Sequence, residues 1–184
     1  MKTKYQNTTI CCISTPKGDG AIAMVRISGK ASLKICKKIF FCKEIKKQID
    51  FTPKKCFFGQ IINKAKIIDE VILIYYKAPN SYTGEDLVEI SCHGSKYIQK
   101  SMIELLIKNG CSLAKNGELT LRAFLNGKLD LSQAEAVANL ISSENEKSHE
   151  LAIKQMRGEY SNEIKNIRTQ LIKFSSLIEL ELDF

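Results

Sequence analysis

The sequence predicts an α+β fold: a mixed-sheet domain over residues 1–117, then an all-helical segment over residues 118–184. Two observations carry this expectation. As far as about residue 110, runs of period two interleave with runs of helical period, and beyond that point no strand pattern recurs. Near the end, Tyr160, Ile164, Ile167, Leu171, Phe174 and Ile178 follow one another at spacings of four and three, the stripe of one long helix.

Residues 8–28 alternate apolar with small or polar positions on either side of Thr15-Pro16-Lys17-Gly18-Asp19-Gly20, which reads as two strands joined by a loop. In the second strand Val25 and Ile27 share one face, while Met24, Arg26 and Ser28 share the other. Gly29 ends it. Residues 31–40 place Leu33, Cys36, Ile39 and Phe40 on one helical stripe with lysines opposite. Strand-like runs follow at 56–62 and 67–76, then a loop from Ala78 to Asp86 rich in turn formers. Leu87 to Cys92 alternate as a short strand, and His93-Gly94 is expected to turn the chain. Ile98, Met102, Leu105 and Leu106 mark a helix stopped by Asn109-Gly110. Leu131-Ser132-Gln133-Ala134-Glu135 reads as a capping box with Ser132 as the cap, so a helix is expected to start there. The last helix carries no stop signal, and its apolar stripe calls for further residues, a second copy of the chain or another protein.

The bulk numbers narrow the class. With 44% hydrophobic and 26% charged residues the chain can close a core, which excludes general disorder. The basic start, Met1 to Tyr5, leads into no apolar segment, and no run of about 18 apolar residues occurs, so a cytoplasmic protein is expected. Seven scattered cysteines in no C-x-x-C arrangement, with only His93 and His149 beside them, read as reduced thiols that fill apolar space and hold no metal. The net charge of +8 owes much to Lys30–Lys66, where eleven lysines meet only Glu44 and Asp50. That block is either a solvated surface or a face for RNA.

Short motifs add little alone. Gly18-Asp19-Gly20 is a lone G-x-G, too little for a phosphate loop. The Gly-Lys pairs Gly29-Lys30 and Gly127-Lys128 are followed by no hydroxyl, so this chain alone is not expected to hydrolyse GTP. Cys92 and His93 are neighbours on a strand and point to opposite faces, which favours packing over a thiol–imidazole pair. His149 is expected to be exposed.

Three longer phrases, in this order and at these intervals, are more specific. They are Thr15-Pro-Lys-Gly-Asp-Gly-Ala-Ile-Ala-Met-Val-Arg-Ile-Ser-Gly29, Pro79-Asn-Ser-Tyr-Thr-Gly-Glu-Asp-Leu-Val-Glu-Ile-Ser-Cys-His-Gly94, and Arg122-Ala-Phe-Leu-Asn-Gly-Lys-Leu-Asp-Leu-Ser-Gln-Ala-Glu-Ala-Val-Ala-Asn-Leu-Ile141. Together with the closing Ile178-Glu-Leu-Glu-Leu-Asp-Phe184 they resemble the MnmE (TrmE) family of tRNA modification GTPases over essentially the whole chain. The resemblance implies an N-terminal domain similar to the folate-binding domain of the glycine-cleavage T-protein, one that forms a homodimer and binds 5-formyl- or 5,10-methylene-tetrahydrofolate. It further implies action on tRNA at C5 of the wobble uridine (position 34) with the FAD-containing partner MnmG (GidA). GTP, Mg²⁺ and K⁺ are implied only for a full-length protein. Position by position, the family's folate contacts carry over to Arg26, Glu89 and Lys128. A carboxylate can accept the paired N–H donors of a pterin edge, and Arg or Lys suits a pterin carbonyl or the glutamyl tail.

Two departures stand out. Asn116-Gly117-Glu118-Leu119 replaces the family's Pro-Gly-Glu-Phe, so the turn into the helical segment is expected to be looser. Ala21 replaces a glycine common after the G-x-G. Other functions compatible with the sequence are a folate-holding or scaffold module without turnover, and a direct tRNA binder using the lysine block.

Overall fold

The structure is a computed structural model and describes residues 8–42 and 51–182. The start of the chain, Lys43 to Asp50 within the lysine block and the last two residues of the closing run lie outside the described residues. Two compact units divide at Lys128/Leu129, later than the boundary expected at residue 117.

In the first unit, strands β1 (Ile10–Ile13), β2 (Gly20–Ser28), β3 (Phe40–Phe41), β4 (Cys56–Asn63), β5 (Lys66–Tyr76), β6 (Leu87–Gly94) and β7 (Ser112–Leu113) form one sheet in the order β3-β4-β5-β6-β2-β1-β7. Only the β1–β7 pair is parallel, which makes the sheet mixed. Helices α1 (Ser32–Ile39) and α2 (Lys96–Lys108) join their apolar sides to one sheet face. Ile35, Cys36 and Ile39 from α1, and Met102, Leu105 and Leu106 from α2, share a core with Val25, Ile27, Leu73, Val88 and Ile90. At about 2 kcal/mol for each large side chain taken out of water, this layer is the main source of the unit's stability. Cys11, Cys36, Cys42, Cys92 and Cys111 are buried within it, and Cys56 on β4 is exposed. Burial pushes the Cys92 thiol up to about 11, so it packs as a neutral group beside the Ala23 carbonyl.

Several elements differ from their sequence reading. His93-Gly94 does not turn the chain but extends β6, because it pairs with β2 at Ile22↔His93 and Gly20↔Gly94 while Asp69 holds its other side. The β5–β6 ladder runs from Tyr76↔Leu87 to Ile72↔Ser91. Beyond it the buried Asp69 carboxylate accepts the His93 backbone N–H and its Nδ1–H, both at 2.7 Å, and replaces the missing strand pairing. A strand also follows α2: Ser112–Leu113 pairs with Ile10–Cys11 in two residues too few to show a period. The Gly18-Asp19-Gly20 loop serves α2. Asp19 accepts the Lys96 backbone N–H at 3.2 Å and pairs with the Lys96 ammonium, so a carboxylate of the protein itself stands at that helix N-terminus.

Helix α3 (Glu118–Leu125) belongs to the first unit. Its leading turn is closed despite the missing proline: Gly117 adopts φ +72°, and Glu118 Oε2 accepts the Lys115 N–H at 2.8 Å. Arg122 of α3 is 1% exposed. Its guanidinium donates to the Thr8 carbonyl at 2.8 Å, to both Glu85 oxygens at 3.2 and 3.1 Å and to Glu118 Oε1 at 3.0 Å. Ser28 donates to the same Glu85 at 2.8 Å and lies 2.7 Å from the Thr83 hydroxyl. One buried cation thus joins the segment before β1, the loop before β6 and α3.

The second unit comprises α4 (Leu131–Ile141), α5 (Glu146–Met156) and α6 (Glu159–Leu182). Its first capping box is shifted from the expected position: Asp130 is the cap, accepting the Gln133 N–H at 2.8 Å while Gln133 Oε1 accepts the Asp130 N–H at 2.9 Å. Asp130 also takes the Ser161 hydroxyl at 2.7 Å, which ties α4 to α6. The six stripe residues of α6 are all exposed, from 43% at Ile178 to 64% at Phe174. His149 is exposed as expected.

Arg122→Ala is expected to lower the unfolding free energy in urea by about 3–5 kcal/mol, since it strands the buried Glu118 and half-buried Glu85 carboxylates, with Arg122→Lys recovering only part. Asp130→Ala is expected to cost about 1 kcal/mol. The Gln133 N–H, then the Ser161 hydroxyl, hold the Asp130 carboxyl below its ordinary value, so its contribution is complete at neutral pH. That contribution disappears as pH falls below about 3.9, the unfolded carboxyl's value, and through the lower folded one, which urea midpoints of native and Asp130→Ala protein against pH would show.

Candidate functional site

The sheet face opposite α1 and α2 carries the alternate residues. Register partners form a row across five strands: Cys12, Arg26, Glu89, Ile74 and Cys56. The next row toward the far end of β6 is Met24, Ser91, Ile72 and Phe58, with Ile72 and Phe58 exposed. The face therefore offers one charged row beside an apolar one.

Arg26 and Glu89, both predicted as site residues, are direct cross-strand partners. Arg26 Nε donates to Glu89 Oε1 at 2.8 Å, with side chains 30% and 14% exposed. Two tyrosines that the sequence did not single out complete the arrangement. Tyr82, from the loop before β6, faces the Arg26 guanidinium at 5.5 Å from the ring centre. Its hydroxyl lies 2.9 Å from Thr120 Oγ1, so α3 holds the ring. On the Glu89 side stands Tyr76, whose hydroxyl is pushed above its ordinary value by burial and then by the charge of, and hydrogen bond with, Glu89. Stacking and the Nε bond fix the plane of the Arg26 guanidinium. Its two terminal nitrogens make no hydrogen bond among the described residues and remain available as donors.

Lys128 is reached through the same loop. Gly84 adopts φ +74°, and a Cβ there would lie 3.0 Å from Asn126 Cβ and 3.1 Å from Lys128 Cγ, so the lysine stem runs directly over this glycine. Asn126 Nδ2 donates to the Thr83 carbonyl at 2.8 Å, and the Lys128 N–H donates to Ala123 at 2.8 Å. The Lys128 ammonium is exposed and has no carboxylate partner among the described residues. Lys128 thus lies beside the loop that carries Tyr82, with no direct contact to the Arg26–Glu89 pair.

Asp86 fixes the start of that loop, accepting the Tyr75 hydroxyl at 3.0 Å and the Ala78 N–H at 2.9 Å. Burial first and the Asp86 contact second push the Tyr75 hydroxyl up to about 12. Neither residue reaches the open face. No cluster of three or more metal-ligating side chains occurs among the described residues, and none of their helices is long and apolar enough to cross a membrane. A separate open groove of about 770 Å³ lies within the second unit, lined by Leu131, Leu151 and Tyr160 among others.

An acceptor-only carboxylate beside a stacked, donor-only guanidinium on a face with apolar neighbours suits a flat heterocycle that carries both N–H donors and carbonyl or carboxylate acceptors. Comparisons with known proteins bear on this arrangement. Residues 9–128 match the family described as GTP-binding protein TrmE N-terminus, and residues 131–184 match the MnmE helical domain. The tRNA modification GTPase MnmE of Flavobacterium johnsoniae is 56% identical over 179 residues, covering 96% of this chain and 38% of the relative. The proteins of the same name from Parabacteroides distasonis and Cytophaga hutchinsonii are 51% and 48% identical, again over 96% of this chain and 39% and 38% of theirs. The chain spans less than two fifths of the length of these relatives. With both halves matched in order, and Arg26, Glu89 and Lys128 all inside the first match, the chain belongs to the MnmE (TrmE) family of tRNA modification GTPases.

Proposed function

We propose that this chain binds a reduced folate and pairs with a second copy of itself, as part of a tRNA-modifying system that acts at C5 of the wobble uridine (position 34) with the FAD protein MnmG. The ligand in this reading is 5-formyl- or 5,10-methylene-tetrahydrofolate, which when bound supplies a one-carbon unit. The supporting observation is Arg26, held by Glu89 on one edge and by the Tyr82 ring on one face, with both terminal nitrogens free among the described residues. Glu89 can only accept, so it meets ligand N–H groups. Arg26 and Lys128 can only donate, so they meet a carbonyl or the glutamyl carboxylates. Tyr82 and Tyr76 orient the charged pair, and Thr120 orients Tyr82. GTP hydrolysis is assigned to no residue of this chain, because no G-x-x-x-x-G-K-[ST] occurs in it. The chain's own part is binding and orientation without turnover.

In isothermal titration calorimetry with 5-formyltetrahydrofolate, Arg26→Ala and Glu89→Ala are each expected to weaken binding about tenfold or more, the loss of one charge-assisted hydrogen bond. Melting temperatures are expected to fall by no more than a few degrees, since this half-buried pair lies on the face away from the apolar layer that holds the unit together. Unchanged affinity in both variants would remove the assignment. Tyr82→Phe keeps the ring on Arg26 and is expected to bind within about threefold of the native protein, whereas Tyr82→Ala is expected to bind as poorly as Arg26→Ala.

A further inference from the structure

The lysine block acquires a shape in the structure. Lys30, Lys34, Lys37, Lys38, Lys54, Lys55, Lys64 and Lys66 are all exposed, and none pairs with a carboxylate among the described residues. Four of them precede or ride on α1. Lys34 and Lys38 are one turn apart, about 6 Å along the axis, and Lys37 lies beside them. From this helix Lys37 reaches to 5.7 Å over the Phe51 ring, and Lys55 sits 6.0 Å over the Phe57 ring. The two rings are largely buried and 5.0 Å apart, centre to centre, so they bring ammonium groups of α1 and of the segment entering β4 to one corner.

The geometry points to this α1–β4 corner as a docking surface for the phosphate backbone of tRNA, an inference that rests on the reading of the chain as a tRNA-modifying component. A row of free cations at helical spacing displaces the counterions of a polyanion. A lipid surface is a poorer fit, because a membrane-lying helix needs apolar side chains to insert. Those of α1 are committed to the core, with Ile35, Cys36 and Ile39 at 3%, 0% and 4% exposure. The corner is built from α1 and β4, whereas the Arg26–Glu89 pair stands on β2 and β6, so the two surfaces can be tested apart.

The test is fluorescence anisotropy of the full 184-residue chain with labelled unfractionated bacterial tRNA, over about 50 to 200 mM KCl. The native chain is expected to bind with affinity that falls steeply with salt. The triple variant Lys34→Gln, Lys37→Gln, Lys38→Gln is expected to bind at least about tenfold more weakly at the low-salt end, with the slope of log K against log[KCl] reduced by roughly two to three. The Lys→Arg triple, which keeps the charge, is expected to bind as the native chain does. A control triple at Lys108, Lys147 and Lys154 is expected to leave binding unchanged. Equal affinity and slope for the Gln triple and the native chain would overturn the inference, as would native binding to phosphatidylserine vesicles without binding to tRNA. Calorimetry with 5-formyltetrahydrofolate separates the two readings: retained folate binding with no tRNA binding sinks this inference alone, and absent folate binding in the native chain sinks the folate assignment alone.

Discussion

A single buried guanidinium sets the geometry of the open face. Arg122 answers two carboxylates, Glu85 and Glu118, and the carbonyl of Thr8, while its Nε has no hydrogen-bond partner among the described residues. A buried charge is tolerable only when paired and hydrogen-bonded, so these groups cannot separate without leaving an unpaired ion in the interior. The loop before β6 and α3 are therefore locked to Thr8, just before β1. Tyr82 rides on that loop and Thr120 on that helix, so the ring over Arg26 inherits its position from Arg122, with which it has no hydrogen bond. Ionic cores of this kind add less to stability than apolar ones. Their use here is to specify one arrangement of three segments.

Strand alternation does the rest. Each strand that buries Val25, Ile27, Val88 or Ile90 toward the helices turns its neighbours the other way, and Arg26 and Glu89 are such neighbours. A one-residue slip between β2 and β6 would exchange the core for the charged pair. The register that makes the core is thus the register that joins Arg26 to Glu89, and the site costs little beyond what folding already requires. Asp69 closes the far end of β6 by a related device, a carboxylate standing where a strand partner is missing.

Much of this was legible in the residues. The alternation of Met24 to Ser28 and of Leu87 to Cys92 predicts both strands and the face that carries Arg26 and Glu89, and the stripe of α6 predicts its length. What escaped was tertiary. Asp130-Leu-Ser-Gln-Ala-Glu135 contains two overlapping capping boxes, Asp130/Gln133 and Ser132/Glu135, and Ser161 on a distant helix favours the first. Arg122 looks like any helical surface arginine until Thr8 and Glu85 are brought to it. Tyr82 stands within an otherwise polar loop, and nothing in its neighbours announces a guanidinium from a strand more than fifty residues earlier. Two-residue strands such as β7 are too short for any period.

Of the seven cysteines, Cys56 alone is exposed, and it ends the row that runs through Ile74 to Glu89. Two strand spacings separate it from that carboxylate, about 10 Å. The protein therefore comes with a native attachment point for a thiol-reactive dye on the face where occupancy is in question, while five thiols are buried and Cys12, beside Arg26 in the same row, is half-buried. Spectroscopy of that face requires no engineered residue.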